Sequence, residues 1–207
     1  LDCLCVGEEA TVQVHRNRGV DQDVIFNTGN PRYDELKKVD REYLKTSTKT
    51  ELRLSDELVL LWAGQPDGEN SYLALERLLC CFGDRPSTLL FRAHPRDAAY
   101  LGGKYQEQLS AAPMRVLDVT GHSDPIGLCC ASDLVVTQLS SLAVEASHFG
   151  VPALFTLFDD LGKEFLRTLY GFDQLPWSAD KCSFLIENES EAQGVLETAL
   201  FDESARE

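Results

Sequence analysis

Short runs rich in leucine and valine recur along this chain, each followed by a longer stretch whose apolar positions repeat every three or four residues, with Gly, Pro, Asp or Ser turns between them. That alternation constrains the fold more than any single motif. Several of the short runs lack the polar alternation of a strand with one wet face, so they read as strands buried on both faces of a parallel sheet. The candidate strands are 24–27, 57–62, 88–92, 115–118, 134–137 and 153–156. Candidate helices lie at 31–44, 70–82, 97–110, 125–130, 141–149, 161–170 and 190–200. In the second of these, Tyr72, Leu75, Leu78, Leu79 and Phe82 share one face, as packing on a sheet requires. The stretch 45–55 is polar and threonine-rich and reads as a linker, and residues 1–23 do not connect obviously to the sheet. The expected architecture is α/β, an open doubly wound parallel sheet of Rossmann-like form with right-handed crossovers. Such sheets bind ligands beyond the carboxyl ends of their strands, which singles out the loops 63–69, 93–97, 119–124, 138–141 and 157–160.

With 207 residues, the chain is long enough for one full domain and a fragment of another. Its net charge of −15, from 34 acidic and 19 basic residues, disfavours long-range attraction to nucleic acid or to an anionic membrane surface. A bound phosphate must therefore be met by local donors, such as helix N-termini and glycine turns. No apolar run approaches the roughly 18–20 residues of a spanning helix, and no signal-type segment opens the chain. The expectation is a cytoplasmic protein without a transmembrane segment. Because the chain starts at Leu1, it is also expected to be a piece of something longer. The seven cysteines cannot pair completely and include two vicinal pairs, so they read as reduced core thiols. Cys3-x-Cys5 lacks the usual metal-ligand spacing, and the reading calls for no metal and no cofactor.

The segment 132–152 reads strand, tight turn, helix, glycine stop, strand. Ser140 and Ser141 at the helix start can offer hydroxyls and free amides to a diphosphate. Glu145, one turn after Ser141, can accept from the vicinal hydroxyls of a ribose. The plain alternative is a serine cap with a favourable acid, although Glu145 lies one or two residues too far along for a reciprocal capping box. In 90–97 a strand delivers Arg92, His94 and Arg96 to the ligand-facing edge, where arginine suits phosphate and His94 suits proton transfer. An equally economical reading is a loop-stabilising histidine between solvated arginines. Gly64 lets backbone approach a phosphate. Asp159 and Asp160 can bind sugar hydroxyls, or simply favour a helix N-terminus. The turn-rich 27–34 segment reads as a hinge, with Pro31 opening a helix.

Taken in order, Thr28-Gly29-Asn30-Pro31-Arg32-Tyr33-Asp34, Arg92-Ala93-His94-Pro95-Arg96, Ser132-Asp133-Leu134 with Ser140-Ser141 and Glu145-Ala146, and Gly150-Val151-Pro152 resemble the C-terminal half of GT-B-type glycosyltransferases. Their relatives, the CDP-glycerol glycerophosphotransferases and the UDP-N-acetylglucosamine 2-epimerases, share the pattern. The resemblance implies a metal-independent glycosyltransferase half that binds a nucleotide-diphosphate sugar of the UDP, CDP or GDP type. It implies a diphosphate against Gly64, Gln65, Ser140 and Ser141, a ribose on Glu145, and a base against Thr120, Gly121 and His122, largely through backbone. Arg92 and His94 would offset phosphate charge. Residues 1–23 would be the remnant of a preceding N-terminal domain, 24–207 the nucleotide-binding domain with its hinge near 27–34, and the absent domain would carry the acceptor and catalytic base. The 155–160 segment lacks the Thr-Glu-Arg-Pro-Glu loop expected of the epimerases, which ranks transferase above epimerase. The competing class is a non-catalytic nucleotide-binding or protein-interaction module that kept the fold.

Overall fold

The computed structural model describes residues 2–66, 68–82, 87–171 and 183–202. It starts with a small βαβ unit of β1 (Leu4–Val6), α1 (Glu9–Asn17) and β2 (Ile25–Asn27), whose two strands pair in parallel. Two helices follow, α2 (Pro31–Leu36) and α3 (Arg41–Glu51). The first half of the main sheet is β3 (Leu58–Ala63), α4 (Gly68–Cys80), β4 (Ser87–Arg92), α5 (Ala98–Leu101), α6 (Tyr105–Ser110) and β5 (Arg115–Asp118). The second half is α7 (Pro125–Ala131), β6 (Leu134–Thr137), α8 (Ser141–Ser147), β7 (Ala153–Thr156), α9 (Asp159–Tyr170), β8 (Phe184–Ile186) and α10 (Glu189–Phe201). Strand order is β5-β4-β3-β6-β7-β8 and every pairing is parallel, as expected of a Rossmann-like sheet. Among the described residues, no helix is long and apolar enough to cross a membrane.

The strands are continuous apolar runs because both faces are covered. Val59, Leu61, Leu90, Val135 and Phe155 face α7 and α8, where Leu128, Cys129, Ala143 and Ala146 meet them. Leu60, Trp62, Leu89, Phe91, Val136 and Leu154 face α4 and α10, against Leu75, Leu78, Leu196 and Ala199. Each fully buried leucine contributes roughly 1.5–3 kcal/mol, so the sheet's centre is its most stable part. At the amino ends, the Asp133 carboxylate accepts from the Val59 amide (2.9 Å) while its own amide donates to the Val59 carbonyl (2.7 Å), fixing the β3–β6 register.

Several expectations are corrected. The strand at 25–27 belongs to the small sheet with β1, not to the main one. The 31–44 helix is two helices, and α3 runs on through most of the stretch read as a linker. Asp40 caps α3 by accepting from the Tyr43 amide (3.0 Å), and Leu44, Thr48 and Leu52 bury its inner face, so burial overrides the modest helix propensity of its threonines. Gly127 on α7 permits this packing, because a Cβ there would lie 2.6 Å from the Thr48 hydroxyl. The 97–110 helix breaks at Gly103, whose φ of +75° is left-handed. Of the six described cysteines, all free thiols, only Cys129 and Cys130 lie in the core; Cys3, Cys5 and Cys80 are exposed, against the expectation of core thiols. Cys182 lies outside the described residues. Burial pushes the Cys129 thiol well up and the Cys130 thiol to about 11, keeping both protonated.

Before β3, Glu57 accepts hydrogen bonds from the Ser55 hydroxyl, the Ser55 amide (3.0 Å) and the Thr88 hydroxyl (3.0 Å), and Arg115 stands 3.3 Å away. These bonds, the Ser55 hydroxyl first, outweigh burial and lower the carboxyl from 4.5 to about 2. A carboxyl depressed on folding stabilises the protein above its unfolded value, and that stability is lost as pH falls from about 4.5 towards 2. Urea unfolding of wild type and Glu57→Gln should therefore differ by about 1–3 kcal/mol at neutral pH and converge in that acid window; a difference independent of pH would contradict the assignment.

Candidate functional site

Crossovers from β3 and from β6 leave in opposite directions, so a crevice opens between the carboxyl ends of these adjacent strands. Its walls are tied together by one buried side chain. The Thr137 hydroxyl donates to the Ala63 carbonyl (2.6 Å) and accepts from the Ser140 amide (3.1 Å) and from Gln65 Nε2 (3.3 Å). Gly64 donates its amide to the Arg92 carbonyl (2.8 Å), and a Cβ there would lie 3.3 Å from Ala93 Cα. Glycine thus lets the β3 loop run against the β4 loop. The Ala93 amide in turn donates to the Thr120 hydroxyl (3.0 Å). The structure accordingly aligns Gly64, Gln65, His94, Thr120 and Ser140, in the loops named from sequence, along one edge with Arg92 at the end of β4.

The donors left free at that edge are fewer than the sequence motif offers. Ser140 is the N-cap of α8: its hydroxyl accepts from the Leu142 amide (3.2 Å), and its amide is taken by Thr137. The Gln65 amide is bonded to Ser71 Oγ (3.1 Å). Ser141 is exposed, and neither its amide nor its hydroxyl has a partner among the described residues. Arg92 carries a buried Nε that likewise lacks one. His94 Nδ1 accepts from the Arg96 amide (3.1 Å), so the neutral ring carries its proton on Nε2. Burial, and then the charges of Arg96 and Arg92 against the opposing Asp97, lower its pKa and keep the ring neutral at physiological pH. Gln138 was not singled out from sequence, yet its buried Oε1 has no partner among the described residues. A glutamine just past a strand in the predicted ligand loop was the available signal.

Glu145 is almost fully buried, and Arg32 grips it with both arms: Nε to Oε1 at 2.9 Å and Nη2 to Oε2 at 3.1 Å. This pair joins two motifs 113 residues apart, and the arginine was read from sequence only as part of a hinge. Asn30 caps α2 by accepting from the Arg32 amide (3.0 Å), and Pro31 fixes its first turn. The Tyr33 ring then meets His148 at 4.8 Å, so α2 docks on the outer side of α8. The 119–124 loop lies two strands from the crevice, at the sheet edge. There His122 Nε2 faces the Glu51 carboxylate at 3.3 Å without making a hydrogen bond, while Gly121 is open to solvent. The backbone of Asp159 and Asp160 starts α9, after β7; their side chains lie outside the described residues. Among the described residues, no group of three or more His, Cys, Asp and Glu is placed to hold a metal ion.

Truncating Arg32 strands a buried carboxylate. Because Arg32 is itself 60% exposed, Arg32→Ala should cost about 2–3 kcal/mol, less than the roughly 3–5 kcal/mol of a fully buried pair. The double variant Arg32→Ala/Glu145→Gln should recover part of that loss. Urea unfolding of the full cycle checks this, and strict additivity would show that the pair is not coupled.

The wall teichoic acid polymerase TagF superposes with a TM-score of 0.62 at 22% identity, over 99% of this chain and 50% of that one. A glycosyltransferase from Rickettsia africae ESF-5 gives 0.62 at 15%, over 99% and 57%. The UDP-GlcNAc 2-epimerase from Methanocaldococcus jannaschii gives 0.58 at 16%, over 98% and 56%. The shared property is the fold, that of a GT-B-like half, and the chain spans about half the length of the polymerase structures. No curated protein sequence matches it. The family model described as CDP-Glycerol:Poly(glycerophosphate) glycerophosphotransferase matches residues 2–163, and with most of its length so covered the chain belongs to that family.

Proposed function

We propose that this chain is the donor half of a transferase that moves a glycerophosphate group from a CDP-linked donor to a polyol phosphate acceptor. In that reaction an acceptor hydroxyl oxygen bonds the distal phosphorus of the donor. The bond from that phosphorus to the bridging oxygen breaks, CMP leaves, and the hydroxyl proton passes to a base outside this chain. The β1–β2 unit is then the end of a preceding domain and the six-stranded sheet with its helices the donor domain.

The observation that carries the proposal is the set of donors at the switch point without a partner among the described residues: Arg92 through its buried Nε, the exposed Ser141, and His94 Nε2. Charge accumulates on the departing CMP, and fixed donors aimed at it stabilise the transition state. In a chain of net charge −15 such donors must be local. His94 acts as a hydrogen-bond donor through Nε2, because its Nδ1 is taken by the Arg96 amide. Gly64, Gln65 and Ser140 shape and brace the crevice, because their amides are spent within the protein. Glu145, held by Arg32, is assigned to the ribose hydroxyls. The Thr120–Gly121 backbone is assigned to the base, and Asp159 and Asp160 to the hydroxyls of the transferred group.

Calorimetric titration with CDP-glycerol, CDP, UDP, GDP and cytidine tests this. Arg92→Gln should weaken CDP binding by about tenfold, equivalent to 1.4 kcal/mol, Ser141→Ala by a few-fold, and neither should alter the weak binding of cytidine. Unchanged CDP affinity in both variants would remove the site.

A further inference from the structure

At the other end of the sheet, where β3, β6 and β7 begin, lies a groove of about 510 Å³ that none of the donor-site residues touches. Helix α3 forms one wall. The turns before the three strands, with Ser132, Asp133 and Gly150, form the other, and Leu200 and Phe201 at the end of α10 add an apolar side. Arg41, Lys45 and Lys49 line it from successive turns of α3, at positions i, i+4 and i+8 on one stripe of the helix. All three are partly buried, and none has a hydrogen-bond or ion-pair partner among the described residues. The Nε of Arg41 is fully buried without one, and its guanidinium reaches across to the Gly150 turn.

In a chain with 34 acids against 19 bases, three neighbouring cations left unpaired are not a statistical residue. Partly desolvated charge is costly unless something neutralises it. The carboxylates lining the same groove do not serve that end. Glu57 is held by Ser55, Thr88 and Arg115, and Asp133 accepts from the Val59 amide. Asp56 points to solvent with no partner of its own among the described residues. The groove therefore offers unspent cations together with hydroxyl-binding acceptors in Ser132 and the acids, a mixed lining suited to a phosphate ester of a polyol rather than to a bare anion.

We infer that this groove holds a segment of polyol phosphate chain. Four helical residues rise about 6 Å. Phosphates joined through a three-carbon polyol are six bonds apart, roughly 6–7 Å when extended, so the three cations stand in register with three successive phosphodiesters. The groove lies the length of β3 from the donor crevice, on the order of 20 Å. It thus grips polymer already made and not the end that is reacting. The choice of polymer rests on the family reading, whereas the site itself rests on α3.

Titration of the intact chain with a synthetic glycerol phosphate trimer, inorganic tripolyphosphate and phosphatidylglycerol vesicles, each alongside CDP, provides the test. The trimer should bind at least tenfold more tightly than tripolyphosphate. The Arg41→Gln/Lys45→Gln/Lys49→Gln variant should lose at least tenfold of that affinity, with the slope of log K against log salt falling from roughly 2 towards zero. Its CDP affinity should match wild type. Unchanged trimer affinity in the variant, equal binding of tripolyphosphate, or binding of vesicles without the soluble trimer would each overturn the inference, the last in favour of a membrane surface. Trimer binding by a wild-type chain that ignores CDP would uphold this site while sinking the donor reading, and CDP binding without trimer binding would do the reverse.

Discussion

The structure turns on the junction between β3 and β6, where the winding of the sheet reverses. Parallel strands need crossovers, and two crossovers leaving a neighbouring pair in opposite directions cannot both cover its carboxyl end. The uncovered gap has to be held open and held in shape. The Thr137 hydroxyl does both, since it uses its single proton and both lone pairs on Ala63, Ser140 and Gln65. A hydroxyl so fully engaged in a dry setting fixes two loops relative to one another. Arg92, His94 and Ser141 then stand at the rim of a rigid frame rather than on independent loops.

The Arg32–Glu145 fork extends that frame to the first part of the chain. A carboxylate buried on α8 is costly without a partner, and its partner comes from the turn that leaves the small β1–β2 unit. The burial of one charge therefore couples the position of α2 to the helix beside the crevice. Tyr33 and His148 reinforce the same contact from the solvent side. The first part of the chain and the helix beside the crevice are thus joined by a short physical path.

Charge is distributed to match. The chain is acidic as a whole, yet cations without a partner among the described residues stand at two places, the carboxyl-end crevice and the amino-end groove under α3. Local desolvation makes such islands effective against an unfavourable global field, because screening by water and salt fades where side chains are partly buried.

The sequence by itself determined the fold class and the row of loops at the carboxyl ends of the strands. Runs such as 134–137 and 153–156 are apolar throughout because both sheet faces are buried, and that demand is written locally. The Ser140 cap and the Asn30-Pro31 helix start were equally legible, since capping involves residues two or three positions apart. Three-residue strands such as β1 and β8 leave no period to detect. Helix α3 was hidden because Thr48 is helical on account of α7, which packs against it. Only the tertiary structure decided which donors remain free: Ser140 is spent on Thr137 and on its own helix, while Arg92 and Ser141 are not. It also decided that Glu145 belongs to an arginine 113 residues away and that three cations of α3 face a groove. Hydrogen bonds and ion pairs between distant segments depend on how the layers close, and no local pattern encodes that closure.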